Sequence, residues 1–252
     1  PTVKEIVVNS NVANEVSMLD ITSSTTIHTM TLAADRNCIN NVAFNFDGSL
    51  LAVGCKDDSI RVLDPRTPGE TLRTSSDTVI GRNLHVDWIY DPYSTDDAGS
   101  AFSSTNSRES SCILSVSSVR GNRMIQIWDI RNINTPVHTS TIDNGSGQLY
   151  PIWDYSLGIC FIFGKGDTIV RAYDINTSDM LFSEGASLKS SASTKTSSSS
   201  TIVTCTKACE FRPTGMGSAS ALAGMGILPK KSIDVRNVEC LRVLKLNGND
   251  VM

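Results

Sequence analysis

The chain has 252 residues, 40% of them hydrophobic and 19% charged, with 22 basic against 26 acidic side chains for a formal charge of -4. That length allows a substantial core, and the charge balance argues against nucleic acid as the main partner. No apolar run reaches the roughly 18–20 residues of a membrane helix, and the amino terminus has neither a basic start nor an apolar signal core, so a cytoplasmic protein without a membrane partner is expected. The first residue is Pro rather than Met, which reads as a segment excised from a longer chain.

From Ile6 to Asp20 the sequence is an apolar run, a polar Asn/Ala/Asn turn and the run VSMLD. The stretch Val42 to Asp64, VAFNFDGSLLAVGCKDDSIRVLD, repeats this pattern more fully, with three apolar runs separated by turn residues, as in antiparallel strands. Leu19-Asp20 and Leu63-Asp64 are 44 residues apart, Trp128-Asp129 follows after 65, and Tyr173-Asp174 after a further 45. Setting aside the Ser/Asp-rich piece 91–111 makes the middle spacing 44 as well, and a period of 40–45 residues is that of propeller blades. Trp153-Asp154 falls outside the series, in the first strand of its repeat.

Inside each repeat, the position seven before the terminal Asp holds Ala13, Asp57, Asn122 and Asp167. Asp57, Asn122 and Asp167 are the short polar residues of tight turns, and Asp64, Asp129 and Asp174 are strand-end anchors rather than active-site acids. A fourth, more polar strand is expected after each terminal Asp: TIHTMTL from Thr26, TLRTSS from Thr71, VHTSTI from Val137 and DMLFSE from Asp179. The fold class is therefore all-β, an incomplete WD-repeat β-propeller of four to five four-stranded blades.

As one partial propeller domain, 1–252 divides into a partial blade 1–33, blades 34–80, 81–143 and 144–185, a Ser-rich loop 186–200, and a last blade 201–252 without its closing strand. The Ser-rich pieces 91–111 and 186–200 lie within the third repeat and between the fourth and fifth, which places them on opposite faces of the ring. In the fifth repeat, IVTCTKACEF, GMGILPKKSIDV and CLRVLKL read as its three strands, with Leu241 to Lys245 mirroring Ile60 to Asp64.

These repeats resemble coronins. FNFDGSLLAVGCKDDSIRVLDPRT is similar to their fourth blade, YPIWDYSLGICFIFGKGDTIVRAYDI to their sixth and GMGILPKKSIDVRNVECLRVLKL to their seventh. The GKGD at Gly164 to Asp167 and the GMG…PKK segment are features of that family rather than of propellers in general. The resemblance implies a cytoskeletal protein that binds actin filaments through a seven-bladed propeller usually followed by a coiled coil. On that comparison the chain begins within the third blade and stops at the end of the propeller. An open ring leaves strand edges uncovered, so self-association through those edges, or pairing of the amino-terminal run with the last blade, is an expectation to test.

Gly164-Lys165-Gly166-Asp167 lacks the spacing and the following helix of a phosphate loop and reads as a turn. Seven cysteines, an odd number, sit mostly in apolar runs as reduced thiols. Cys205 and Cys209 have no second pair at zinc-ligand spacing, so neither metal nor cofactor is expected. His28, His85 and His138 are scattered over different repeats and no nucleophile-elbow pattern occurs, so no enzyme is expected. Candidate partner-binding residues are Arg66 and Arg131, each two after a terminal Asp, together with Lys230 and Lys231. A guanidinium suits an acidic protein surface such as actin's. The alternative function is a WD-repeat scaffold that binds other proteins without actin affinity.

Overall fold

The computed structural model describes residues 5–9, 15–20, 22–32, 39–45, 48–67, 71–75, 81–90, 109–154, 157–179, 201–212, 221–237, 239, 241–247 and 250–251. Five antiparallel sheets follow one another along the chain. The first holds β1 (Glu5–Asn9), β2 (Glu15–Asp20) and β3 (Thr25–Thr31); the second β4 (Ile39–Phe44), β5 (Leu51–Cys55), β6 (Ile60–Leu63) and β7 (Thr71–Thr74). The third holds β8 (Arg82–Tyr90), β9 (Glu109–Val119), β10 (Asn122–Asp129) and β11 (His138–Asn144). The fourth holds β12 (Leu149–Asp154), β13 (Ile159–Gly164), β14 (Val170–Asp179) and β15 (Thr201–Phe211), and the fifth β16 (Gly224–Ile227), β17 (Val243–Asn247) and β18 (Asp250–Val251).

Each sheet pairs strands in chain order, and the first strands lie side by side, β4 against β8, β8 against β12 and β12 against β16. This is the up-and-down sheet of a propeller blade with its first strand innermost. Strands β5 and β6 are buried along their whole length because neighbouring blades cover both of their faces, which is why LAVGC and IRVL are continuous rather than alternating apolar runs. The outer strand β11, HTSTIDN, alternates between exposed and half-buried positions.

The cores lie between blades. Val16, Met18 and Met30 pack with Leu51, Val53 and Leu63 between the first and second sheets. Ala52, Ile60 and Val62 pack with Val86, Trp88 and Trp128 between the second and third, and Leu114, Val116 and Ile125 with Trp153, Cys160 and Ile162 between the third and fourth. Phe161, Phe163 and Ala172 with Leu222 and Met225 join the fourth to the fifth. Hydrogen bonds between innermost strands fix the blades in register. Asn41 donates to Val86 O at 2.7 Å and accepts from Val86 N at 2.9 Å, and Trp88 Nε1 donates to Ala43 O at 2.9 Å.

Several sequence expectations are corrected. IVTCTKACEF is not the first strand of the last blade: it is β15, paired with β14 from Val170↔Phe211 to Asp179↔Thr201. Alternating apolar residues suit either place, and only the long hairpin, which carries β14 past Tyr173-Asp174, decides between them. Asp179 of DMLFSE ends β14, the remainder lies outside the described residues, and β15 fills the fourth-strand place. Residues 91–108 and 186–200 of the Ser-rich pieces lie outside the described residues, but the strand ends before them, Tyr90 of the first strand β8 and Asp179 of the third strand β14, point to the same end of a blade and not to opposite ones.

The run Leu241 to Lys245 enters β17, and because β16 lies against β12 as an innermost strand, β17 is a second strand, not the counterpart of β6. Strand β1 pairs with β2, Glu5↔Asp20 to Asn9↔Val16, so these amino-terminal residues complete the first sheet and not the last.

Candidate interaction surface

At the end of each third-strand run, the terminal Asp accepts hydrogen bonds from the residue two places on. Asp64 Oδ1 accepts from Arg66 N and Arg66 Nε, each at 2.9 Å, while Arg66 Nη2 donates to Oδ2 at 2.8 Å. Asp129 repeats this with Arg131: N to Oδ1 at 2.8 Å, Nε to Oδ1 at 3.0 Å and Nη2 to Oδ2 at 2.7 Å. The other repeats keep the geometry with uncharged partners, Thr22 N and Oγ1 donating to Asp20 at 2.8 and 2.6 Å and Asn176 Nδ2 to Asp174 at 3.1 Å. Hydrogen bonds from Arg66 hold the Asp64 carboxyl below its ordinary range.

The Asp therefore organises a turn, and in two adjacent blades the same turn aims a guanidinium outward. Arg66 is 71% exposed and Arg131 39%. Spacing alone locates these arginines; the bidentate fork onto their own Asp is a product of the turn, and it offsets part of each positive charge.

Lys230 is a different case. Its Nζ lies 2.6 Å from Asp154 Oδ2, and Asp154, at the end of β12, is only 2% exposed. The ammonium thus neutralises a buried carboxylate across the seam between the last two sheets. Asp154, set aside in the sequence as part of a misplaced Trp-Asp pair, is one of the more consequential acids of the fold. Lys231 is exposed.

Asp57 and Asp167 anchor turns in distinct ways. Asp57 accepts from Ser59 N at 3.1 Å and Ser59 Oγ at 2.5 Å and pairs with Arg61 at 3.0 Å. Asp167 pairs with Arg123 of the preceding blade at 2.8 Å and with Arg171 at 3.6 Å. Arg123 also grips Asp143, as does Arg171 Nη2 at 2.6 Å, so two buried arginines and two aspartates alternate around one closed set. Donation from Arg123 pulls the Asp143 carboxyl below the usual range. Asn122 opens β10 with an exposed side chain.

The GKGD turn belongs to this set. A Cβ on Gly164 would run into Arg123 Nη1 and Asp167 Oδ2, so the first glycine makes room for a guanidinium from the neighbouring blade. Gly166 N donates to Leu222 O and Leu222 N to Asp167 O, both at 2.8 Å, tying the same turn to the segment entering the last sheet. Gly164 thus serves packing between blades, while Gly166 supplies the turn's positive φ of 92°.

His85 lies 2.7 Å from Gln148 through its Nε2 and its ring centroid is 4.7 Å from that of Tyr150, an inter-blade packing role. His138 begins β11 and His28 lies on β3. Cys205 and Cys209 both lie on β15, and burial pushes the Cys205 thiol up to about 11, which keeps it protonated. Among the described residues, no helix is long and apolar enough to cross a membrane.

No family model matches the chain. It is 27% identical over 217 residues to Coronin-2A of Homo sapiens, which covers 86% of this chain and 32% of that protein. Coronin-2A of Bos taurus is 25% identical over 250 residues, covering 98% and 38%, and Coronin-2B of Xenopus tropicalis 27% over 212, covering 84% and 34%. The chain thus spans about a third of the length of these curated relatives. Among solved structures, the WD40 domain of Toxoplasma gondii coronin superposes with a TM-score of 0.70 at 19% identity, over 99% of this chain and 52% of that one.

Proposed function

From the premise that this chain is a coronin-like WD-repeat propeller segment, we propose that it is a non-catalytic platform for protein partners, foremost the actin filament, in the cytoplasmic cytoskeleton. The observation that carries this reading is the run of coronin relatives along 84–98% of the chain. Actin comes from the family resemblance. The geometry supports it with two outward guanidiniums, Arg66 and Arg131, on equivalent turns of adjacent blades, where an acidic protein surface would meet both.

Lys231 adds an exposed charge beside Lys230 in the fifth sheet's segment. Because Arg66 and Arg131 are each backed by an Asp, the contact is modest in strength and weakens with salt. Co-sedimentation with filamentous actin, using this chain beside the longer protein that contains it, tests the reading. The chain is expected to pellet with filaments and to be released as salt rises. If neither protein pellets, actin is excluded and the scaffold reading stands. If only the longer one does, the contact lies outside these residues.

A further inference from the structure

The turns joining second to third strands open on the face opposite to Arg66 and Arg131, because successive turns of an antiparallel blade alternate ends. In three consecutive blades this turn holds one exposed cation: Lys56 between β5 and β6, Arg120 between β9 and β10, and Lys165 between β13 and β14. Of the carboxylates on this rim, three are held by arginines and Asp58 lies near Arg82. Asp57 pairs with Arg61, and Asp143 and Asp167 pair with Arg123 and Arg171, whose side chains are nearly buried. These arginines offset Asp57, Asp143 and Asp167, and Lys56, Arg120 and Lys165 stay exposed.

The three turns form one continuous edge. Asp58, in the first turn, feels the charge of Arg82, which pairs in register with Ser118 just before the second turn. Arg123, three residues past Arg120, reaches Asp167 in the third turn. Arg120-Gly121 is a two-residue hairpin loop closed by Val119↔Asn122, with φ of 51° and 87°, the geometry of a tight type I′ turn that holds the arginine out.

We propose that this rim is a second interaction surface, one that takes an extended acidic segment of a partner protein laid across three blades. One cation in each turn suits carboxylates spaced along a peptide, whereas a nucleic acid calls for a denser basic stripe. The turn residues Lys56-Asp57-Asp58, Arg120-Gly121 and Lys165-Gly166-Asp167 include no apolar side chain to enter a bilayer. The proposal is independent of actin binding, because it concerns the other face.

The test is fluorescence anisotropy with a labelled oligoglutamate peptide at low salt, with oligoglutamine of equal length as the control. Wild-type protein should bind oligoglutamate in a salt-sensitive manner. The variant Lys56→Gln/Arg120→Asn/Lys165→Gln should lose at least about tenfold in affinity; Asn is chosen at 120 because it tolerates positive φ. An unchanged melting temperature of the triple variant shows that it folds. Equal affinity of wild type and triple variant, or no oligoglutamate binding at low salt, overturns the proposal. Capture of wild type by phosphatidylserine vesicles without oligoglutamate binding also overturns it, in favour of a membrane surface.

Discussion

Arg123 Nη2 on β10 lies 2.8 Å from Asp167 Oδ2 in the turn after β13, so a nearly buried guanidinium of one blade completes the turn of the next. The pair is held from behind by Asp143 and Arg171, and it explains why a glycine stands at position 164. An exposed turn has become an inter-blade joint.

Removing Asp167 leaves buried arginine charge short of its partner, so Asp167→Ala should destabilise the fold by about 3 kcal/mol. Arg123→Met/Asp167→Ala, which removes both charges, should cost less than the sum of the single changes. Urea unfolding of the four proteins in a double-mutant cycle measures the coupling. A coupling near zero would show that the pair is incidental.

Gly164→Ala forces a methyl into Arg123 Nη1 and Asp167 Oδ2. The expected loss is about 1–3 kcal/mol by overpacking. Gly121→Asn, at an exposed loop with φ of 87° and open space around it, should cost well under that. Thermal melts of both variants against wild type make the comparison.

Lys230→Met should destabilise the seam between the last two sheets by about 1–2 kcal/mol, because Asp154 keeps its buried charge without the ammonium 2.6 Å away. Lys231→Met should leave stability unchanged. Hydrogen exchange in β12 and β16 reads the local effect, and faster exchange in the Lys230 variant alone is the expected result.

Burial pushes the Asp87 carboxyl up to about 6, only partly offset by the hydrogen bond it accepts from Trp88 N. A carboxyl raised in the folded state above its unfolded value near 3.8 keeps its proton between those limits only when folded. Stability should therefore fall as pH rises from about 4 to about 6, by at most ~3 kcal/mol from this group, and then level off. Asp143, lowered by Arg123, contributes in the opposite sense, its share being lost as pH falls through its depressed value. Asp87→Asn should flatten the first slope, which urea midpoints across that window would reveal.

Arg66→Ala/Arg131→Ala is expected to weaken filament co-sedimentation several-fold at low salt and to matter less as salt rises. Each single change should have a smaller effect. Filament binding identical to wild type in the double variant would remove this pair from the contact.

The blade period, the second and third strands of the complete blades and the strand-end aspartates were all legible in the chain, because each depends on neighbours within a few residues: alternation, turn residues and an Asp that bonds two positions on. Arg66 and Arg131 could be found for the same reason. What Asp154, Arg123 and Lys230 do could not, since their partners are Lys230, Asp167 and Asp154, and separations of tens of residues leave no local pattern.

The amino-acid sequence by itself determined that this is a propeller and where most of its blades begin, through burial patterns that any blade of this kind must satisfy. Only the tertiary structure decided that Thr201–Phe211 closes the fourth sheet, that Lys230 neutralises a buried acid, and that Gly164 makes space for Arg123. The physical reason is that strand pairing and charge pairing depend on which blade faces which, and a polar strand edge or an exposed-looking lysine carries no record of its neighbour.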